Sequence, residues 1–114
     1  MSRSWRLFLQ DIEEAAEKIQ RRTMGLSMGQ FLANDLVYDA VVRNLEIIGE
    51  ATKGLPDGVR ARAAAIDWRR VAGLRDVLAH AYFALDDQTL WDIIQNNVPQ
   101  LLAEVRRVLR ESEA

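Results

Sequence analysis

The sequence predicts an all-α protein, an antiparallel bundle of four main helices with one or two short helices. Apolar residues recur every three or four positions in four long segments, which is the period of an amphipathic helix. Breaks rich in glycine, proline and acidic residues separate these segments, and no stretch shows the strict alternation typical of a β-strand. The chain has 114 residues, enough to bury its own core, so we expect a single helical domain over residues 1–114.

The first helix is predicted to begin at Trp5 and to end before Gly25. Its apolar face consists of residues at helical spacing: Trp5, Phe8, Ile12, Ala15, Ala16 and Ile19. Acidic residues precede Arg21 and Arg22, an order that suits the helix dipole. Ser27 is placed to cap a short helical turn that follows.

Asn34 or Asp35 is predicted to cap a second long helix. The residues of its inward face are Leu36, Val37, Ala40, Val41, Asn44, Ile47, Ile48 and Ala51. Asn44 is polar within this face, and Arg43 and Glu50 lie beside it along the helix. Its amide can either satisfy a structural hydrogen bond or line a cleft, and the pattern leaves both roles open.

Residues 54–58, with a proline and two glycines, end the second helix. Residues 59–65 contain three consecutive alanines and favour a short helix. Asp67 then caps the third long helix, which we expect over residues 68–81.

The segment 85–87 is expected to end the third helix and to cap the last one. The apolar period then continues through Leu90, Trp91, Ile94, Val98, Leu101, Leu102, Val105, Val108 and Leu109. Pro99 has no backbone N–H, so the last helix should kink or divide there.

Composition excludes several kinds of chemistry. The chain has no cysteine and one histidine, so disulfides, thiolate nucleophiles and cysteine-based zinc sites are absent, and no metal or other cofactor is expected. A glycine-rich phosphate loop is missing. The serines, Ser2, Ser4, Ser27 and Ser112, lie far along the chain from the histidine, which disfavours a serine triad.

Charge and hydropathy bound the partners. No apolar run is long enough to cross a membrane and the N-terminus lacks a signal-peptide pattern, so we expect a cytoplasmic protein without membrane contact. The net charge of -2 gives no indication of a nucleic-acid partner, and no DNA binding is expected. Five arginines nevertheless accumulate against the single acid Asp67: Arg60, Arg62, Arg69, Arg70 and Arg75.

The most informative stretch is residues 74–83, which hold the only histidine, His80, and one of two tyrosines, Tyr82. On a helix, Arg75, Asp76 and His80 fan over one arc and Tyr82 lies nearly above Arg75. The opposite arc is apolar, with Val71, Leu74, Val77, Leu78 and Ala81. A histidine can transfer protons near neutral pH while an arginine holds a phosphate, a pair suited to metal-free RNA cleavage. The alternative is a structural histidine bonded to Asp76, with Arg75 in solvent.

The segment from Arg75 to Tyr82 has the pattern R-x4-H-x-Y and resembles the HEPN ribonuclease superfamily, and the whole chain resembles its HepT branch. Residues 39–51 are similar to the second-helix signature of that branch, and residues 66–68 and 91–99 also match its pattern. The resemblance implies a metal-independent endoribonuclease toxin with a HEPN-like helical domain. It implies a homodimer in which the motif helices of two subunits form a shared cleft that binds RNA.

The same resemblance assigns residue roles and partners. Arg75 and His80 would be catalytic, Asp76 would support them by orienting the imidazole, and Tyr82 would receive AMP from a small nucleotidyltransferase antitoxin. Arg43, Asn44 and Glu50 are candidate cleft-lining residues. The competing interpretation is a non-catalytic subunit that binds substrate or forms a complex with a nucleotidyltransferase.

Overall fold

The structure, a computed structural model, describes residues 4–79 and 86–112. Within these ranges the helices are α1 (Trp5–Thr23), α2 (Met28–Ala33), α3 (Asp35–Lys53), α4 (Asp57–Ala61), α5 (Trp68–Ala79), α6 (Asp87–Asp92) and α7 (Val98–Glu111). A π-helical turn, Ile93–Asn97, joins α6 to α7 in one continuous helical run. The described residues therefore form four main helices and two short ones, which confirms the predicted all-α bundle.

Four of the helices are capped at their N-termini by the side chains that the sequence predicts. A side-chain oxygen of Ser27, Asn34, Asp67 or Asp86 accepts a hydrogen bond from the backbone N–H three residues later, at 3.1, 3.1, 3.2 and 2.7 Å respectively. The bond from Thr89 also holds the pKa of the Asp86 carboxyl below its ordinary value. Of the two candidates for α3, Asn34 is the cap.

The short fourth helix lies earlier in the chain than predicted. It spans Asp57–Ala61 instead of residues 59–65, because Pro56 has the fixed φ of -64° that suits a helix start. Residues 62–66 form a turn. There the carbonyl of Ala63 accepts bonds from the Ile66 N–H and from the Trp68 indole, which takes the place of a continuing helix.

The predicted inward face of α3 is too wide, and the predicted apolar arc of α5 is too wide as well. Leu36 is 84% exposed and Ile47 is 37% exposed. They share one stripe with the charged Arg43 and Glu50, and this stripe faces water. Val77 of α5 is 41% exposed for a similar reason, since it lies at the edge of the apolar arc.

Pro99 divides the last helical run, as predicted. The N–H of Val98 donates to the carbonyl of Ile93, five residues earlier, so the run widens into a π-turn directly before the proline. Pro99 then occupies the first turn of α7, where a missing backbone N–H costs little.

The packing order of the main helices sets where α5 lies. α1 packs against both α3 and α7, and α3 in turn packs against α5. The core includes Phe31, whose ring stacks on Tyr38 at 5.4 Å and contacts Trp91 at 5.5 Å between ring centres. In this order α5 lies at an edge of the bundle, with α3 as its main support. Across the described segments, no helix has the length and apolar character that crossing a membrane requires.

Candidate functional site at the crossing of α3 and α5

The start of α5 is fixed by a buried tryptophan. Trp68 donates its indole N–H to the carbonyls of Arg60 and Ala63, at 3.0 and 3.1 Å. The guanidinium of Arg60 donates to the carbonyl of Thr52 at 2.9 Å, near the end of α3. These bonds tie the end of α3 to the start of α5 through the connection between them.

The two helices approach each other closely at Gly49 of α3. A Cβ atom added to this buried glycine would lie 2.9 Å from the backbone nitrogen of Arg75 and 3.2 Å from the carbonyl oxygen of Val71. Ordinary side chains do not fit at such distances, so Gly49 permits the close approach. The crossing point therefore coincides with the motif arginine.

Two ion pairs join α3 to α5 beside this crossing. Nε of Arg75 lies 3.2 Å from Oε2 of Glu50, and Nζ of Lys53 lies 3.6 Å from Oδ1 of Asp76. The side chains of Arg75 and Glu50 are 52% and 62% exposed. Exposed pairs of this kind contribute at most about 1 kcal/mol to stability, so their main effect here is on the orientation of the side chains.

The guanidinium of Arg75 keeps donors for a ligand. An arginine has five N–H donors, and the carboxylate of Glu50 lies near only one of the three guanidinium nitrogens, Nε. The donors on the two terminal nitrogens can form the paired hydrogen bonds that planar phosphate oxygens accept. Since half of the side chain is exposed, a phosphate can reach it from solvent.

His80 and Tyr82 lie outside the described residues. The catalytic role of His80, the modification of Tyr82 and the orienting contact from Asp76 to His80 all stay predictions. Among the described residues, Asp76 forms an ion pair with Lys53.

The other candidate residues of the cleft occupy different environments. Glu50 lies beside Arg75, and the exposed Arg43 lies on the same side of α3, two turns earlier. Asn44 is buried, and its Nδ2 donates to the carbonyl of Ala40 in its own helix at 2.8 Å. The structure thus brings Glu50 and Arg75 together, while the side chain of Asn44 bonds within α3.

The local arginines are only partly available for a polyanion. Arg62 pairs with Glu111 at 3.8 Å, and Arg60 is engaged with Thr52. Arg69 and Arg70 are exposed in the first turn of α5, and neither forms an ion pair with another described residue. Their charges are therefore open to a phosphate backbone near the site.

An open groove of about 320 Å³ runs between α5 and the C-terminal helical run. Its wall on α5 includes Val71, Leu74 and Val77, and its opposite wall includes Ile93 and Leu101. The groove is mainly apolar, and its wall on α5 comes from the apolar arc of that helix and does not include Arg75 or Asp76.

Potential metal ligands do not converge in the described ranges. No group of three or more histidine, cysteine, aspartate or glutamate side chains there is arranged to hold a metal ion.

Two residues of the crossing were not singled out from the sequence. The sequence did contain an indication for Gly49. A glycine inside a long helix destabilises it by roughly 1 kcal/mol relative to alanine, so its presence there suggests a close contact with another part of the chain. The indication for Lys53 was weaker and consisted only of a basic residue in the last turn of α3. Neither signal indicates which residue of another helix lies opposite.

Comparison with known proteins identifies the family. The model of the family described as "Ribonuclease HepT-like" matches residues 12–108. A "Probable ribonuclease HepT" of Thermococcus cleftensis is 38% identical over 108 residues, which cover 95% of this chain and 98% of that protein. A protein of Caldanaerobacter subterraneus subsp. tengcongensis named "Putative RNase" is 34% identical over 95% of this chain and 96% of its own length.

A Methanocaldococcus jannaschii protein with the same kind of name is 36% identical over 95% of this chain and 89% of its own length. No solved structure matches the chain significantly. Because the family model and these relatives cover nearly the whole sequence, this chain belongs to the HepT-like ribonuclease family.

Proposed function

We propose that this protein is a metal-independent endoribonuclease that acts as a toxin and is neutralised by a small nucleotidyltransferase. The observation that carries the proposal is the half-exposed side chain of Arg75, within the R-x4-H-x-Y segment of a chain that HepT-like ribonucleases match along almost its full length. The names of the relatives support ribonuclease activity. The toxin role, the nucleotidyltransferase and the cytoplasmic location come from the family resemblance.

The proposed reaction is an internal transfer at the RNA phosphodiester. The 2'-hydroxyl loses its proton and attacks the adjacent phosphorus, the bond to the 5'-oxygen breaks, and that oxygen takes up a proton as it leaves. The products are a 2',3'-cyclic phosphate and a 5'-hydroxyl. His80 transfers protons, and Arg75 binds the non-bridging oxygens and stabilises their charge in the transition state.

A homodimer suits this reaction. Each chain has one histidine, whereas removing one proton and supplying another takes two groups or two protonation states of one group. A shared cleft would present His80 and Arg75 from both subunits to one phosphate. The open apolar groove along α5 and the exposed Val77 support the proposal that a second copy packs beside the motif helix.

The proposed binding surface extends from Arg75 along α5. Arg69 and Arg70 would contact flanking phosphates, and Arg43 would do so from α3. Because this contribution is electrostatic, RNA affinity is expected to fall as the salt concentration rises. Asp76 supports the site from the same helix.

The chemistry of the RNA ends tests the reaction. We expect the purified protein to cut a single-stranded RNA in the presence of a chelator and to leave 2',3'-cyclic phosphate and 5'-hydroxyl ends, as mass spectrometry of the fragments would show. A substrate with a 2'-deoxy nucleotide at the cleaved position should stay intact, since it lacks the attacking group. Products with 3'-hydroxyl and 5'-phosphate ends would contradict the mechanism. An absence of cleavage would favour the non-catalytic subunit.

Intact mass after co-expression tests the proposed neutralisation. With the nucleotidyltransferase partner present, the parent chain should gain mass in steps of one AMP, and the Tyr82→Phe variant should not. Tyr38→Phe is the matched control, because Tyr38 is the only other tyrosine and packs against Phe31. An AMP-sized gain that persists in Tyr82→Phe, or none in the parent, would contradict the proposed modification site.

A further inference from the structure

The position of Arg75 depends on α3 more than on any other element. α5 lies at an edge of the bundle and α3 is its main support. At Gly49 the two helices come so close that an added Cβ atom would lie 2.9 Å from the backbone nitrogen of Arg75. The backbone of the motif arginine is thereby fixed relative to the next residue of α3, which is Glu50.

Glu50 engages the side chain of the same arginine. Its Oε2 lies 3.2 Å from Nε of Arg75, while its neighbour Gly49 leaves no room for a Cβ atom beside the Arg75 backbone. Two consecutive residues of α3 therefore constrain both the backbone and the guanidinium of Arg75. A long side chain that is half exposed would otherwise sample many rotamers.

We infer that Glu50 is a positioning residue that orients Arg75 for the scissile phosphate; this inference rests on the proposed ribonuclease activity. The carboxylate lies beside Nε, on the α3 side of the guanidinium, and its charge favours rotamers of Arg75 that keep the guanidinium there. The terminal nitrogens then remain as the donors for the non-bridging oxygens. Because a small displacement of such a group reduces catalysis strongly, the contact matters for the rate even though it contributes little stability.

The charge of Glu50 has an opposite effect on binding. A carboxylate near the phosphate binding position repels RNA at long range. Removal of this charge should therefore leave the affinity for RNA unchanged or improve it, while the oriented state of Arg75 becomes rarer. Glu50→Gln is expected to lower kcat by about tenfold with KM unchanged or reduced. Loss of folded protein would lower the apparent kcat by the same factor whether residue 75 is arginine or lysine, so the comparison of these two backgrounds separates it from a positioning role.

The experiment is a double-mutant cycle on RNA cleavage in chelator, with Glu50→Gln and Arg75→Lys alone and combined. In Arg75→Lys the planar guanidinium that Glu50 orients is gone. In that variant the further change Glu50→Gln should therefore alter kcat by less than about twofold. Glu50→Asp should restore part of the rate of Glu50→Gln, since it restores the charge. The matched control is Glu14→Gln, which removes a carboxylate of similar exposure, 68%, from an exposed ion pair with Lys18.

A second measurement reports on the contact itself. The ¹⁵N–¹H signal of Arg75 Nε, assigned by its disappearance in Arg75→Lys, should be present in the parent and should shift or exchange faster with water in Glu50→Gln. The same signal should be unaffected by Glu14→Gln.

The outcomes separate this inference from the proposed function. If the parent cleaves RNA, three results would overturn the positioning role alone. They are a Glu50→Gln rate equal to that of the parent, a loss of rate from Glu50→Gln that is as large in the Arg75→Lys background as in the parent, and an Nε signal that does not change in Glu50→Gln. If the parent does not cleave RNA, the ribonuclease proposal fails and the positioning role fails with it, whatever the Nε signal shows.

Discussion

Replacement of Gly49 by alanine is expected to push α5 away from α3 and to displace Arg75. The added methyl group would lie 2.9 Å from the backbone nitrogen of Arg75, and backbone cannot give way as a flexible side chain can. Small-to-large changes at packed positions typically cost about 1–3 kcal/mol. Both the free energy of unfolding and the rate of RNA cleavage should therefore fall.

Urea unfolding and cleavage at a temperature where the variant is folded measure the two effects separately. Gly58→Ala is the control, because a Cβ at this helical position meets nothing within 4 Å. That variant should keep its activity and gain about 0.4–1 kcal/mol of stability. A Gly49→Ala protein as stable and active as the parent would show that the two helices do not cross here at the described distance.

Removal of either member of the proposed catalytic pair should have the largest effect on cleavage. Arg75→Ala takes away the donors for the transition-state charge, and His80→Ala takes away the proton transfer. Each loss is expected to lower kcat by about 100-fold or more. Arg75→Lys should retain part of the activity, because a lysine keeps the charge but not the forked donors.

Arg75→Ala should lose its cleavage activity while remaining folded. Its side chain is half exposed and its ion pair with Glu50 is on the surface, so the free energy of unfolding should change by less than about 1 kcal/mol. Arg22→Ala, an exposed arginine in the last turn of α1, is the control and should cleave at the parent rate. Equal rates for Arg75→Ala and the parent would exclude Arg75 from the reaction.

The fold was predictable because its signals are local. Helical periodicity and capping residues act within a few positions of the chain, so the long helices, the caps at Asn34 and Asp67 and the division at Pro99 agree with the sequence-based expectations. The predictions were wrong where the burial of a side chain depends on an adjacent helix. Leu36 and Ile47 match the apolar period, but no sequence pattern shows where the adjacent helix ends, and both are exposed.

The candidate site was predictable only along α5. Spacing on one helix places Arg75 and Asp76 together, but it does not give their partners on α3. Those partners depend on the crossing at Gly49, which brings Glu50 to Arg75 and Lys53 to Asp76. Contacts between helices join residues far apart in the chain, so a single sequence does not specify them.

The most direct test of the ribonuclease proposal is the cleavage of a defined RNA by the purified protein in excess chelator, with the parent and His80→Ala compared at equal concentrations. The proposal predicts cleavage by the parent to 2',3'-cyclic phosphate ends and a rate lower by about 100-fold or more in His80→Ala. Equal rates for the two proteins, or no cleavage by the parent, would contradict it.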